Sequence, residues 1–147
     1  MRNLLPLLFL PALAGCHDPA LVRLQVVNDS QEQAVAIAVR CDGRLVFDTV
    51  VARYRTTDDR LSRYLRLAPG PHRLAVEARG QRTHLDTLLN TVGTNVLGVT
   101  FRYDSLPART RTTYFADGAE GEITFPAFYV RRSFRVYQFQ TSQPLRP

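Results

Sequence analysis

The stretch VAIAVRCDGRLVFD, residues 35–48, decides the fold of this chain. Val35, Ile37 and Val39 alternate with small or polar residues, Leu45 and Phe47 repeat the alternation, and Asp42-Gly43 lies between them. Period-two spacing puts alternate side chains on one face of an extended chain, and Asp-Gly suits the left-handed backbone of a tight turn, so the stretch reads as a β-hairpin. Register selects the turn. A two-residue Asp42-Gly43 loop sets Val39 opposite Val46 and sends Leu45 and Phe47 to the other face. A three-residue Cys41-Asp42-Gly43 loop pairs Val39 with Leu45 and Ile37 with Phe47, which unites the apolar set and puts Gly43 at the left-handed third position. The expected turn is the three-residue one, with Cys41 in the loop.

The same period runs outward from this hairpin. Upstream, Val22, Leu24 and Val26 alternate with Arg23 and Gln25 before a turn signal at Asn28, Asp29 and Ser30. Downstream, Leu61, Leu65 and Leu67 precede Pro69-Gly70-Pro71, after which Leu74, Val76 and Ala78 alternate with Arg73, Ala75 and Glu77. A further strand is expected over residues 83–89, and Leu97, Val99, Phe101 and Tyr103 mark another. Residues 105–113 read as a long loop and 117–121 as a turn, with last strands over 122–130 and 133–140. No stretch carries a helical period. About eight or nine short strands with turns every ~8–12 residues imply an all-β fold, an antiparallel two-sheet sandwich.

The amino terminus supplies a different signal. Arg2 is the one positive charge of an n-region, residues 4–14 form an apolar stretch of about 11 residues, and Leu13-Ala14-Gly15-Cys16 closes it. That run is too short to span a bilayer, which needs about 20 apolar residues, and no later segment offers them. The closing string resembles the bacterial lipobox. The resemblance implies cleavage before Cys16, a diacylglycerol on its sulfur and a fatty acyl chain on the new amine. His17, rather than Asp, after the cysteine resembles outer-membrane sorting, and the resemblance implies a location in the bacterial cell envelope, at the outer rather than the inner membrane. The expected organisation is a signal peptide at 1–15, a lipid-anchored tether at 16–20, a sandwich domain at 21–140 and a tail at 141–147. His17 to Ala20 reach about 13–14 Å fully extended, so the domain is expected to sit close to its membrane. DGRLVFD at 42–48 and LAPGPHRLAVEARG at 67–80 resemble the hairpin and Pro-Gly-x-His turn of immunoglobulin-like, PEGA-like and transthyretin-like surface modules. That resemblance implies a non-catalytic spacer, scaffold or binding module and carries over no functional residues.

Composition narrows the chemistry. All 19 basic residues are arginine. The absence of lysine excludes Schiff-base catalysis, Ser/Lys dyads and a lysine-bearing phosphate loop. Loss of residues 1–15 removes Arg2 and leaves 18 arginines against 13 acids, a net charge of about +5 with His neutral. Eight arginines between Arg53 and Arg82 face Asp58, Asp59 and Glu77 there. Such a field attracts anionic polymer, lipid phosphate or lipopolysaccharide, and it also suits the solvent face of a sheet. An exported location argues against nucleic acid as the partner. With Cys16 committed to lipid, Cys41 is expected to be a free thiol, either buried by the hairpin or activated by Arg40 and Arg44. His84 and Asp86 share a strand face but supply two metal ligands where zinc needs at least three from protein, and the adjacent Asp58 and Asp59 face opposite ways if they lie in a strand and suit calcium or plain solvation if they lie in a loop. There is no Gly-x-Ser-x-Gly elbow and no His-Glu-x-x-His, so no catalytic residues, metal or cofactor are expected.

The aromatics are unevenly placed. Ten of the thirteen Phe and Tyr beyond residue 15 fall between Phe101 and Phe139, interleaved with Arg in FYVRRSFRVYQF at 128–139. Neighbouring aromatics on one strand point to opposite faces, so one of Phe128 and Tyr129 must leave the core, as must Tyr137 and Phe139 if Phe134 and Val136 enter it. Tyr129, Arg131, Arg132, Arg135, Tyr137 and Phe139 are therefore the candidate partner-facing residues. Aromatic faces beside guanidinium suit a protein interface or a glycan. The expected function is a membrane-anchored protein-binding or assembly module, with a glycan-binding surface as the alternative.

Overall fold

The computed structural model describes residues 18–142. Ten strands follow in order: β1 (Ala20–Ser30), β2 (Ala34–Cys41), β3 (Arg44–Ala52), β4 (Leu61–Leu67), β5 (Pro71–Ala78), β6 (Thr83–Asn90), β7 (Val96–Leu106), β8 (Arg109–Tyr114), β9 (Glu120–Phe125) and β10 (Phe128–Phe139). One 3-10 turn, Thr57–Asp59, interrupts them. Among the described residues no helix is long and apolar enough to cross a membrane. The expected signal peptide and Cys16 lie outside the described residues, as do residues 143–147 of the expected tail.

The all-β sandwich expected from the alternation is present. One sheet has the order β10-β7-β1-β4, the other β3-β2-β5-β6, and β8-β9 forms a two-stranded ribbon. All pairs are antiparallel except β1 with β7, whose strands run the same way. The core is the predicted period-two set. Val22, Leu24 and Val26 of β1 and Leu97, Val99 and Phe101 of β7 meet Val35, Ile37 and Val39 of β2 and Leu74 and Val76 of β5. Phe101 is fully buried, and the Phe134 ring meets it edge-on at 5.4 Å and 61°. A buried amide ties the sheets together: Asn28 Nδ2 on β1 donates to Val51 O on β3 at 3.2 Å.

The central hairpin corrects the expected turn. Cys41 pairs with Arg44 and Arg40 with Leu45, so the loop is the two-residue Asp42-Gly43, with positive φ of 50° and 77°. This is the type I′ geometry that matches strand twist. Cys41 closes β2 and is buried, not in the loop. The register then shifts so that Val39 pairs with Phe47, leaving Val46 as the extra residue of a bulge. The bulge, rather than a longer turn, reunites the apolar face. Its exposed carbonyl is not wasted: Arg63 Nη1 on β4 donates to Val46 O at 3.0 Å, linking the two sheet edges.

Two further expectations change. Residues 105–113, read as a loop, contain the end of β7 and most of β8. The strand expected over 122–130 is broken at Pro126-Ala127, and β10 then runs unbroken where two strands were expected, with a register shift between Val130 and Ser133. Arg-Thr-Arg-Thr-Thr in β8 has no apolar stripe to reveal its period, and its β-branched threonines are paired by β9. The Pro69-Gly70 turn joins strands of different sheets. Thr91, buried, holds that crossover through Oγ1 donating to Ala68 O at 2.9 Å and Gly70 O at 3.2 Å.

Candidate functional site

Two surfaces stand out, at opposite poles of the sandwich. Because β1 and β7 are parallel, the end of β7 that enters β8 is the end farthest from Ala20, where the described chain begins. The eleven residues of β7 span about 33 Å. Leu106 pairs with Phe128 and Arg109 with Phe125 in one unbroken register, so β8 and β9 extend the β7-β10 pair beyond the sandwich as an arm.

The two faces of the arm differ in chemistry. Cross-strand partners share a face, so one side carries Arg109 with Phe125, Arg111 with Ile123 and Thr113 with Gly121. Phe115 lies over Gly121, where an added Cβ would meet its ring at 2.5 Å, and the Arg109 guanidinium sits 5.2 Å from the Phe125 ring centre. The other side carries Thr110 with Thr124, Thr112 with Glu122 and Tyr114 with Glu120. Phe115, Ile123, Phe125 and Tyr129 are all exposed. A two-stranded ribbon with its apolar face in water is marginal by itself.

The six residues singled out in β10 do not form one patch. Tyr129 pairs with Ser105 at the base of the arm, whereas Tyr137 pairs with Gly98. The intervening register shift puts Tyr129 and Tyr137 on opposite faces although both numbers are odd. Arg132 turns inward to the pole: its guanidinium lies 3.8 Å from the Tyr103 ring centre and donates to Gln81 Oε1 at 2.7 Å and Glu32 Oε1 at 3.2 Å. Arg131 is exposed beside it. Arg135, Tyr137 and Phe139 share the outer face of the first sheet, with the Tyr137 and Phe139 rings 6.0 Å apart and 12° from parallel. The phenol end of Tyr137 fills the space a side chain at Gly98 would take. The arm's Phe115, Ile123, Phe125, Arg109 and Arg111 were not singled out, because the polar alternation of β8 hides which neighbours share a face.

At the other pole, a cleft of about 590 Å³ opens between β4 and the β2-β3 turn. Its walls include Arg44, Arg63, Tyr64, Arg66, Asp42 and His72. Leu67, beside it on β4, pairs with Ala20 at the start of the described chain. Three of its basic groups belong to the hairpin and to the arginine-dense segment noted in the sequence.

Cys41, Asp42 and His72 bring ligand atoms within 4.8 Å of one another, the one such group among the described residues. Its hydrogen bonds oppose a metal. His72 Nδ1 lies 2.6 Å from Asp42 Oδ2 and Nε2 lies 2.7 Å from Ala68 O. Both partners accept, so both ring nitrogens donate and the ring is an imidazolium without a free lone pair. Asp42 Oδ1 also accepts from Arg73 N at 2.9 Å. Burial, and then the Asp42 charge, push the Cys41 thiol up and keep it protonated. Of the His84-Asp86 pair, Asp86 is committed elsewhere, since Arg73 Nε donates to its Oδ1 at 2.9 Å. Asp59 accepts from Arg55 N and Thr56 N, both at 2.8 Å, and shapes its own loop.

The His72-Asp42 pair makes stability depend on pH with a defined sign. The Asp42 hydrogen bond, then that of Ala68 O, raise the imidazole above its ordinary 6.5. The His72 bond, then the Arg73 N–H, lower the Asp42 carboxyl below 3.8. The histidine contribution is full below its unfolded value and lost as pH rises through the raised folded value, while that of Asp42 is full above its unfolded value and lost as pH falls through the lowered one. Their joint contribution is therefore greatest between about pH 4 and 6.5. The urea midpoint of the wild type is expected to exceed that of His72→Gln most near pH 5.5 and to converge on it by about pH 9. A gap that is constant with pH would contradict the imidazolium assignment.

The chain matches no family model, no curated protein and no solved structure with which it was compared.

Proposed function

We propose that the protein is a lipid-anchored envelope module without a catalytic role, whose β8-β9 arm docks a protein partner. The observation that carries this reading is the arm itself: Phe115, Ile123 and Phe125 are exposed on one face, beside Arg109 and Arg111. Burying such a face against a partner removes apolar area from water, and its two guanidinium groups favour a surface rimmed with carboxylates. Among the described residues no further strand pairs with β8 or β9, so their outer edges offer backbone hydrogen bonds to an added strand. On this reading Cys16 carries the lipid, and the arm, at the pole opposite Ala20, extends away from the membrane.

The test is a photo-crosslinking scan in cells on the full-length protein. Probes replacing Ile123 and Phe125 are expected to give one discrete adduct, which probes at the more exposed Val50 and Leu88 do not. Arg109→Glu/Arg111→Glu is expected to abolish it. Cys16→Ser is expected to release the protein from the membrane fraction. Adducts equally frequent at all four positions would overturn the docking role, and a Cys16→Ser protein that stays with membranes would overturn the anchor.

The glycan reading has one observation in its favour, the near-parallel Tyr137 and Phe139 rings beside Arg135. Sugar rings stack on such surfaces. A probe at Phe139 that captures polysaccharide, with none captured at Ile123 or Phe125, would move the binding role to this face.

A further inference from the structure

We propose that the partner of the β8-β9 arm is a second copy of this chain, whose arm lays its acidic face on the basic, apolar face of the first. The inference rests on the docking reading above and names the occupant. Pairing in register puts Arg109 and Arg111 on one face of the ribbon with Ile123 and Phe125, and puts Glu120 and Glu122 on the other with Thr112 and Tyr114. The two faces therefore carry opposite charge. Two contacts fix the sidedness: the Arg109 guanidinium lies 5.2 Å from the Phe125 ring centre, and the hydroxyls of Thr110 and Thr124 lie 3.2 Å apart. All four charged residues are exposed, and among the described residues none of them forms a salt bridge.

What one face lacks, the reverse of another arm supplies. Arg109 and Arg111 stand two residues apart on β8 and Glu120 and Glu122 two residues apart on β9, so extended chain spaces each pair by about 6.6–6.8 Å. Equal spacing lets two guanidinium groups meet two carboxylates at once. The acidic face also carries the exposed Tyr114, whose ring adds apolar area against Ile123 and Phe125. Other pairings of two copies lose the match. Two basic faces together would gather four guanidinium groups with no carboxylate between them, and two acidic faces would gather four carboxylates, which like-charge repulsion opposes. Joining unlike faces is a heterologous contact. Each contact leaves a basic face free at one end and an acidic face free at the other, so copies add in a row rather than closing as a pair. One ribbon face is small beside the roughly 800 Å² per partner of a stable interface, so a single contact is weak and repetition along the row strengthens it.

The experiment is photo-crosslinking in cells that make two differently tagged copies of the full-length protein, with the probe at Ile123 of one copy. An adduct of two chains carrying both tags is expected. Its yield is expected to fall about tenfold or more when both copies carry Arg109→Glu/Arg111→Glu, and equally when both carry Glu120→Arg/Glu122→Arg. The adduct is expected to return when a probed copy with Arg109→Glu/Arg111→Glu meets a second copy with Glu120→Arg/Glu122→Arg, because the swapped charges match again. All four positions are exposed, so both variants are expected to fold, and their thermal transitions check this. A two-tag adduct that survives Glu120→Arg/Glu122→Arg, or that the mixed variants fail to restore, would overturn the contact between unlike faces. A discrete adduct with a different protein in place of the two-tag product would overturn the second copy and leave the docking role standing. Adducts equally frequent at Ile123, Phe125, Val50 and Leu88, or none at all, would overturn the docking role and this inference with it.

Discussion

Phe101→Ala is expected to destabilise the fold by about 3–5 kcal/mol, the largest loss from a single truncation here. Phe101 is the largest fully buried side chain, on the inward face of β7 and next to the edge-on ring of Phe134. Removing the ring loses its transfer free energy and leaves a cavity that two hydrogen-bonded sheets cannot collapse to fill. Single domains are stable by only about 5–15 kcal/mol, so the loss takes a large share of the total. The thermal midpoint is expected to fall by roughly 10–20 °C. Phe101→Leu, which keeps most of the volume, is expected to lose less than half as much. A Phe101→Ala midpoint within a few degrees of wild type would mean that the sheets are not packed around this ring.

Asn28→Ala is expected to cost about 2–4 kcal/mol, although it removes a polar side chain from an apolar interior. Asn28 is fully buried. Its Nδ2 donates to Glu32 O at 3.1 Å and Val51 O at 3.2 Å, and its Oδ1 accepts from Ser30 Oγ at 2.6 Å. Two facing carbonyls identify the nitrogen end of the amide without ambiguity. Truncation leaves the buried Val51 carbonyl and the Ser30 O–H without this amide as partner, away from water, and that desolvation exceeds any gain from a more apolar residue. Asn28→Asp is expected to be worse at neutral pH, because it sets a carboxylate against carbonyl oxygens. Part of its loss is expected to return on acidification, as protonation restores one donor. Urea unfolding across pH reads both variants. If Asn28→Ala matches the wild type, the amide does not link the sheets.

Much of the fold was legible because alternation is a local property. Val35, Ile37, Val39, Leu74, Val76, Leu97 and Val99 all enter the core as their spacing predicts. The same reading erred at Asp42-Gly43, where it chose a longer turn to unite the apolar face. A bulge at Val46 performs that task, and its carbonyl is bonded by Arg63, seventeen residues away along the chain. The candidate sites were less legible. β8 is polar on both faces and becomes a strand through its pairing with β9, and Tyr129 is separated from Tyr137 by a bulge. The His72-Asp42 contact joins residues thirty positions apart and turns a would-be metal ligand into an imidazolium.

The sequence by itself determined the class of fold, the apolar rows that form the core and the arginine excess near Arg53–Arg82, since these depend on residue type and short-range period. Tertiary structure alone decided the pairing registers, the parallel β1-β7 contact that puts the arm opposite Ala20, and the bond by which Arg63 reaches the bulge carbonyl of Val46. A one-residue shift in a strand reverses every side chain beyond it, and which shift occurs is set by partners distant in the chain.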